Sequence, residues 1–439
     1  MKKRISLIMC GLLTAGALFG CGSAAQTQTA TVDDSTETSK AEAVSSTDEG
    51  TEAAGTGEQA SAEPTEIKIW HDADEAIMQT IADNVNEALA DKQITVSFEK
   101  KTGLTDQLKL YGNDAANGPD MYFYAHDSLG TFIEMGILSP IGDMVDASVM
   151  GDLLPMTVEA GIYGDEQYFM PVYFETLLFM YNKELWNGEV PSSTEDLYEY
   201  MSANTDAAAG TFAVVNQHST AYNVAPFINA FGGYIIDKEG NPGLNVQETK
   251  DAIEYNKKFA ALQADGDYNT VTTLFNEKKA AAIIGGPWLI SGIKDAGIDL
   301  GIKSLSDFTL PNGKGLAPYS GVQGIGVLKH AAENKKGAVA EVLAAIVSPE
   351  VGIALANNFN CAPANVKAYE DSNVASNEMI MAMKTTADTA QPMPNIPQMS
   401  VMWDPAEKLL AAVNKSGEDV NTAAEEFEKQ AETAIADMQ

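Results

Sequence analysis

The chain has 439 residues, 45% hydrophobic and 20% charged, which is long enough for two or three domains and apolar enough to give each a core. Its 27 basic residues face 62 acidic ones, a formal charge of −35. A surface that acidic favours solubility and repels phosphate backbones and anionic headgroups, so nucleic acid and the membrane surface are disfavoured as partners.

Lys2, Lys3 and Arg4 precede an uncharged, mostly apolar run from Ile5 to Phe19. That run is short of the ~20 residues of a membrane span, and residues 1–20 read as an export signal. It closes on Leu18-Phe19-Gly20-Cys21, which resembles the bacterial lipobox, although Phe19 stands where a small or β-branched residue is usual. The resemblance implies a lipidated Cys21 as the mature N-terminus. From 21 to 65 the chain is rich in Ser, Thr, Ala, Glu and Gly, with Val32 and Val44 as its only larger aliphatic residues. Such a stretch buries too little apolar area to offset its ordering entropy and is expected to be a disordered tether, spanning roughly 35–40 Å root-mean-square.

Order is expected from Glu66, where Glu66 to Trp70 alternates like a strand. Ile77, Ile81, Val85, Ala88 and Leu89 then recur at helical spacing. Ile94 to Phe98 reads as a strand, Leu104 to Ala115 as a helix, and Pro119 to Ala125 as a buried strand behind a Gly-Pro turn. This alternation predicts an open, mostly parallel sheet flanked by helices. Phe212–Val215, Ala280–Ile284 and Gly324–Leu328 are further strand candidates. Val420, Ala424, Phe427, Ala431, Ile435 and Met438 define one face of a C-terminal helix. Two α/β lobes fit the length better than one giant sheet, and ligands on such sheets bind in the crevice beyond the strand ends.

Enzyme signatures are missing: the sequence has no G-x-x-x-x-G-K-[ST], no G-x-G-x-x-G after a strand, no H-E-x-x-H and no G-x-S-x-G. His71, His126, His218 and His330 lack metal-ligand spacing, and satisfied or solvated histidines are expected. Cys10 leaves with the signal and Cys21 would carry lipid, so Cys361 is read as a packed core residue and not a nucleophile. A carboxylate pair such as Asp127 with Glu175 keeps a secreted glycosidase open on residue type alone.

Aromatic residues in loops and at strand ends say more. Trp70 precedes His71-Asp72-Ala73-Asp74, Tyr124 precedes Ala125-His126-Asp127, and Gly285-Gly286-Pro287-Trp288 holds an indole after a buried strand. Three prolines within 391–400 forbid a regular helix there and deliver Trp403 beside Asp404. A pyranose has an apolar face that stacks on a ring and a rim of hydroxyls that carboxylates accept from, so this combination suits a sugar. A cationic metabolite such as a polyamine is served by the same residue types.

Met393-Pro394-Asn395-Ile396-Pro397-Gln398-Met399-Ser400 is the most specific stretch. With Gly118-Pro119-Asp120, Ala125-His126-Asp127, Tyr181 to Leu185, Gly232-Gly233-Tyr234, Phe275-Asn276 and Gly286-Pro287-Trp288, it resembles the bacterial maltose/maltodextrin-binding proteins of family 1, from Glu66 to the C-terminus. The resemblance implies a type II periplasmic-binding-protein fold, two α/β lobes about a hinge. It places the N-terminal lobe in 66–174 plus 318–378 and the C-terminal lobe in 175–317 plus 379–439. It implies that Asp74 and Asp127 accept sugar hydroxyls from the first lobe and Glu175 near the hinge, while Tyr222, Trp288 and Trp403 stack from the second. Tyr124 stands where the family often has Trp. Ser128 and Glu75 replace basic residues, Ala225 an aromatic one, and Asp404 a Tyr; Asp404-Pro405-Ala406-Glu407 also reads as a helix start. What is implied is a monomeric, lipid-anchored receptor that passes maltooligosaccharides, or another oligosaccharide, to an ABC permease. No catalytic residue, cofactor or metal is expected.

Overall fold

The computed structural model describes residues 64–263 and 266–438. The signal, Cys21 and the tether up to residue 63 lie outside the described residues. Strand β1 (Thr65–His71) alternates at first and sinks Ile67 and Ile69 fully, then buries Trp70 and His71. Helix α1 (Glu75–Leu89) starts at Asp74, whose carboxylate caps Ala76 N–H at 2.7 Å, and lays Met78, Ile81, Val85 and Leu89 on the sheet. β2 (Ile94–Lys100), α2 (Leu104–Tyr111) and β3 (Met121–Ala125) complete the first α/β run. α2 is shorter than its hydrophobic pattern predicts. Beyond Gly112, Asp114 accepts from Ala116 N–H and Asn117 N–H and turns the chain instead.

The first sheet has eight strands among the described residues, in the order Ala362–Pro363, β4 (Phe169–Thr176), β9 (Tyr319–Leu328), β3, β1, β2, with two short strands paired to β9. The second has four, in the order β8 (Leu300–Lys303), β5 (Leu178–Asn182), β7 (Ala280–Gly285), β6 (Phe212–Val215). The expected mostly parallel sheet is corrected here. β1 runs parallel to β2 and β3, but β9 is antiparallel to both β3 and β4, and in the second sheet only β6 and β7 are parallel. β4 and β9 connect the two sheets, so their directions follow the lobe each comes from.

Three crossings join the lobes. β4 ends at Thr176 and, after Leu177, the chain continues as β5 in the second sheet. β9 returns from the second lobe to the first, where helix α5 (Lys336–Ile346) packs on α1. β10 (Gln391–Pro392) pairs with the start of β9, after which the chain enters α6 (Met399–Asn414). Helices α3 (Ala221–Phe231), α4 (Gln247–Ala260), α6 and α7 (Val420–Ala436) pack together over the second sheet's core, which includes Phe179, Ile228, Phe259, Leu409 and Val413. α7 buries Ala423, Ala424 and Ala431, with Val420, Phe427 and Ile435 at the edge of that core; Met438 falls past the helix end and is exposed.

Candidate functional site

Glu175 is the one residue of β4 that is not fully buried, and it sits one residue before the crossing. Its side chain makes no hydrogen bond or ion pair with the described residues, and burial pushes its carboxyl above the ordinary range. Tyr222, half-buried in the first turn of α3, lies within the fields of both Glu175 and Asp127. Burial, and after it these two charges, hold its phenol far above its usual pKa. Asp127 is exposed on the short turn that follows β3, on the first lobe. One phenol ring is therefore influenced by both a first-lobe and a crossing-strand carboxylate.

The rings form a series. Tyr222 is 6.4 Å from Trp288 and 6.5 Å from Tyr319, and Tyr319 meets Trp403 edge-on at 6.5 Å and 86°. Trp288 is 43% exposed on the turn after β7. Its indole folds back over Gly286, where an added Cβ would lie 2.1 Å from the ring, so the glycine is required by that close approach. Trp403 is half-buried on α6 and shares a pocket of about 230 Å³ with Asp127, Ser128, Thr131, Met393, Ile396, Pro397, Met399 and Ser400. First-lobe and second-lobe groups thus line one cleft.

Asp74 and Tyr124 belong to the first lobe and are not among the residues that line that pocket. Asp74 uses one carboxylate oxygen as the cap of α1, and its charge with that of Glu175 adds to burial in raising the Tyr173 phenol. Tyr124 packs on Phe132 at 6.4 Å, and burial, followed by the charges of Asp72 and Asp127, raises its phenol. Trp70 is a core residue, 3% exposed, with its indole N–H donated to Glu99 at 3.0 Å. Cys361 is buried, as expected, and burial raises its thiol. His126 is wholly buried and satisfied. Its Nε2 donates to the Met393 carbonyl at 3.0 Å, and Nδ1 accepts from Val322 N–H at 3.1 Å.

The helix start read at Asp404 is a correction. α6 begins at Met399 and runs through Pro405. Met399, Met402, Ala406, Leu409 and Val413 form a continuous buried stripe, and their burial outweighs the ~3 kcal/mol that a proline costs inside a helix. Asp404 is exposed and pairs with Lys408 at 2.7 Å. Tyr319 went unnoticed in the sequence; its position at the start of a strand behind Pro318 was the available signal.

Two α/β lobes joined by crossing segments, with Asp127 and Trp403 sharing one pocket, have the architecture of a two-domain binding protein. The family model "Bacterial extracellular solute-binding protein" matches residues 80–382, and the chain belongs to that family. It is 30% identical over 343 residues to the maltotriose-binding protein of Pyrococcus abyssi, covering 77% of this chain and 75% of that one. Identity to the galactooligosaccharide-binding protein of Bacillus subtilis is 27% over 401 residues, 86% and 90% of the two chains. A maltooligosaccharide ABC transporter solute-binding lipoprotein of Streptococcus pneumoniae is 28% identical over 352 residues, 77% and 81%. In three dimensions the chain resembles a cyclo/maltodextrin-binding protein solved with maltotetraose, with a TM-score of 0.78 and 24% identity over 86% of this chain and 99% of that one. That likeness establishes the two-lobed fold.

Proposed function

We propose that this protein captures maltooligosaccharides in the cleft between its lobes and delivers them to an ABC permease, acting as a binding protein and not as a glycosidase. The observation that carries the reading is the ring series Trp288, Tyr222, Tyr319, Trp403 set against Glu175 and Asp127. Exposed faces of Trp288 and Trp403 stack on the apolar faces of hexose rings. Asp74, Asp127 and Glu175 accept from their hydroxyls, and Tyr124 offers a further ring. Lobes comprising 66–174 plus 318–378 and 175–317 plus 379–439 close on the sugar, because only the closed form lets both touch it. The receptor works as a monomer held outside the cell by lipid on Cys21, and ATP hydrolysis belongs to its partners.

Galactooligosaccharides are the second reading, favoured by the galactooligosaccharide-binding relative in Bacillus subtilis, which matches over 401 residues. Ser128 and Ala225 replace sugar-contacting residue types of the maltodextrin receptors, which leaves room for a different chain. Titration calorimetry with maltotriose, a galactooligosaccharide and spermidine separates the readings. Micromolar binding of maltotriose, ~8 kcal/mol, supports the first; preference for either competitor replaces it. Maltoheptaose recovered intact after incubation supports a receptor, and shortened products would establish a hydrolase.

A further inference from the structure

Strand β9 carries a gap in its ladder where the lobes join. One edge pairs with β4 through Ser320 to Gly326. The other edge pairs with β10 at Tyr319 and Ser320, and with β3 from Gln323 to Val327. Gly321 and Val322 fall between those two partners. The His126 imidazole occupies the gap, with Nδ1 accepting from Val322 N–H and Nε2 donating to the Met393 carbonyl, while Met393 N–H donates to the Ser320 carbonyl at 3.2 Å. A ring nitrogen that accepts a backbone N–H carries no proton, which fixes the neutral Nε2–H tautomer. Full burial keeps the ring neutral by lowering its pKa.

Three chain segments therefore meet on one side chain: the turn bearing Asp127, the returning strand β9, and the segment that runs through Met393 into the helix bearing Trp403. We propose that His126 is a positioning residue for ligand capture, its imidazole standing in for the missing rung so that Asp127 on the first lobe stays in register with Trp403 on the second. The inference rests on the sugar-binding reading above. Neither amide side chain reproduces both bonds. Asn sets an acceptor near the Nδ1 position but does not reach Met393, whereas Gln reaches Met393 without an acceptor for Val322.

The test is maltotriose titration of the full-length protein and of His126→Asn and His126→Gln, each alone and combined with Trp403→Ala, with thermal melts to confirm folding. Each single substitution weakens affinity by about tenfold, the equivalent of one lost hydrogen bond network contact. In the Trp403→Ala background the loss shrinks to about threefold or less, because the positioned ring is gone. Folded variants with unchanged affinity, or with the whole loss retained beside Trp403→Ala, would overturn the inference. Should neither variant fold, ¹⁵N imidazole shifts of the unsubstituted protein decide: Nε2–H at neutral pH is expected, and an Nδ1–H or imidazolium form contradicts it. No binding of maltotriose by the unsubstituted protein would instead count against the sugar reading.

Discussion

Glu175 has no partner among the described side chains, yet burial raises its pKa. A raised pKa means that the folded chain holds the proton more tightly than the unfolded one. Stability therefore falls as pH rises from the ordinary carboxylate range through the raised value, and stays lower above it. Glu175→Gln removes that penalty, so at neutral pH its melting temperature should exceed that of the unsubstituted protein, with a flatter profile between pH 4 and 8. The same change takes away a charged acceptor and should weaken sugar binding by about tenfold or more. A variant both less stable and equally tight would show that the carboxylate has another role. For the rings, Trp288→Ala and Trp403→Ala should each cost ~2 kcal/mol or more of binding energy without unfolding the chain. Calorimetry on the two variants checks this, and unchanged affinity in both discredits the site.

At the scale of elements, the segment after β10 holds the lobes in register through its backbone and the Asn395 side chain. Gly130 N–H donates to the Asn395 carbonyl at 2.8 Å, and Asn395 Nδ2 donates to the carbonyls of Ala160 and Ile162 at 3.1 and 2.8 Å. A Cβ at Gly130 would lie 2.5 Å from that Asn395 oxygen and 2.9 Å from Pro397. Gly130→Ala should therefore destabilise the protein by about 1–3 kcal/mol in urea unfolding and weaken sugar binding as well. These contacts explain why Met393 to Ser400 is so distinctive: its prolines and Asn395 serve the junction, and Trp403 comes a helical turn later. The strands β1 to β3 and helix α1 were legible in the sequence, since period-2 and period-3.6 burial depends on near neighbours. The run of α6 through Pro405 was misread because local cap and proline signals pointed to a start at Asp404, whereas the stripe from Met399 to Val413 only pays off against the second-lobe core. The part Tyr319 plays in the ring series was not legible for a related reason. Its place between Tyr222 and Trp403 is set by pairings of β9 with strands more than a hundred residues away in the chain.

Across the whole molecule, the two sheets are joined by crossings at Thr176–Leu178, at the start of β9 and after β10. A junction made of short extended segments bends more readily than the packed lobes on either side. Ligand that contacts both lobes should shift the population toward a closed form, so the radius of gyration from solution X-ray scattering should fall when maltotriose saturates the protein. An unchanged scattering curve at saturation would mean that sugar binds without closure. The most direct test of the central claim is a crystal structure grown with maltotriose. It should show hexose rings lying on Trp288 and Trp403, with their hydroxyls donating to Asp127 and Glu175. Sugar bound elsewhere on the surface, with the cleft between the lobes empty, would contradict the account.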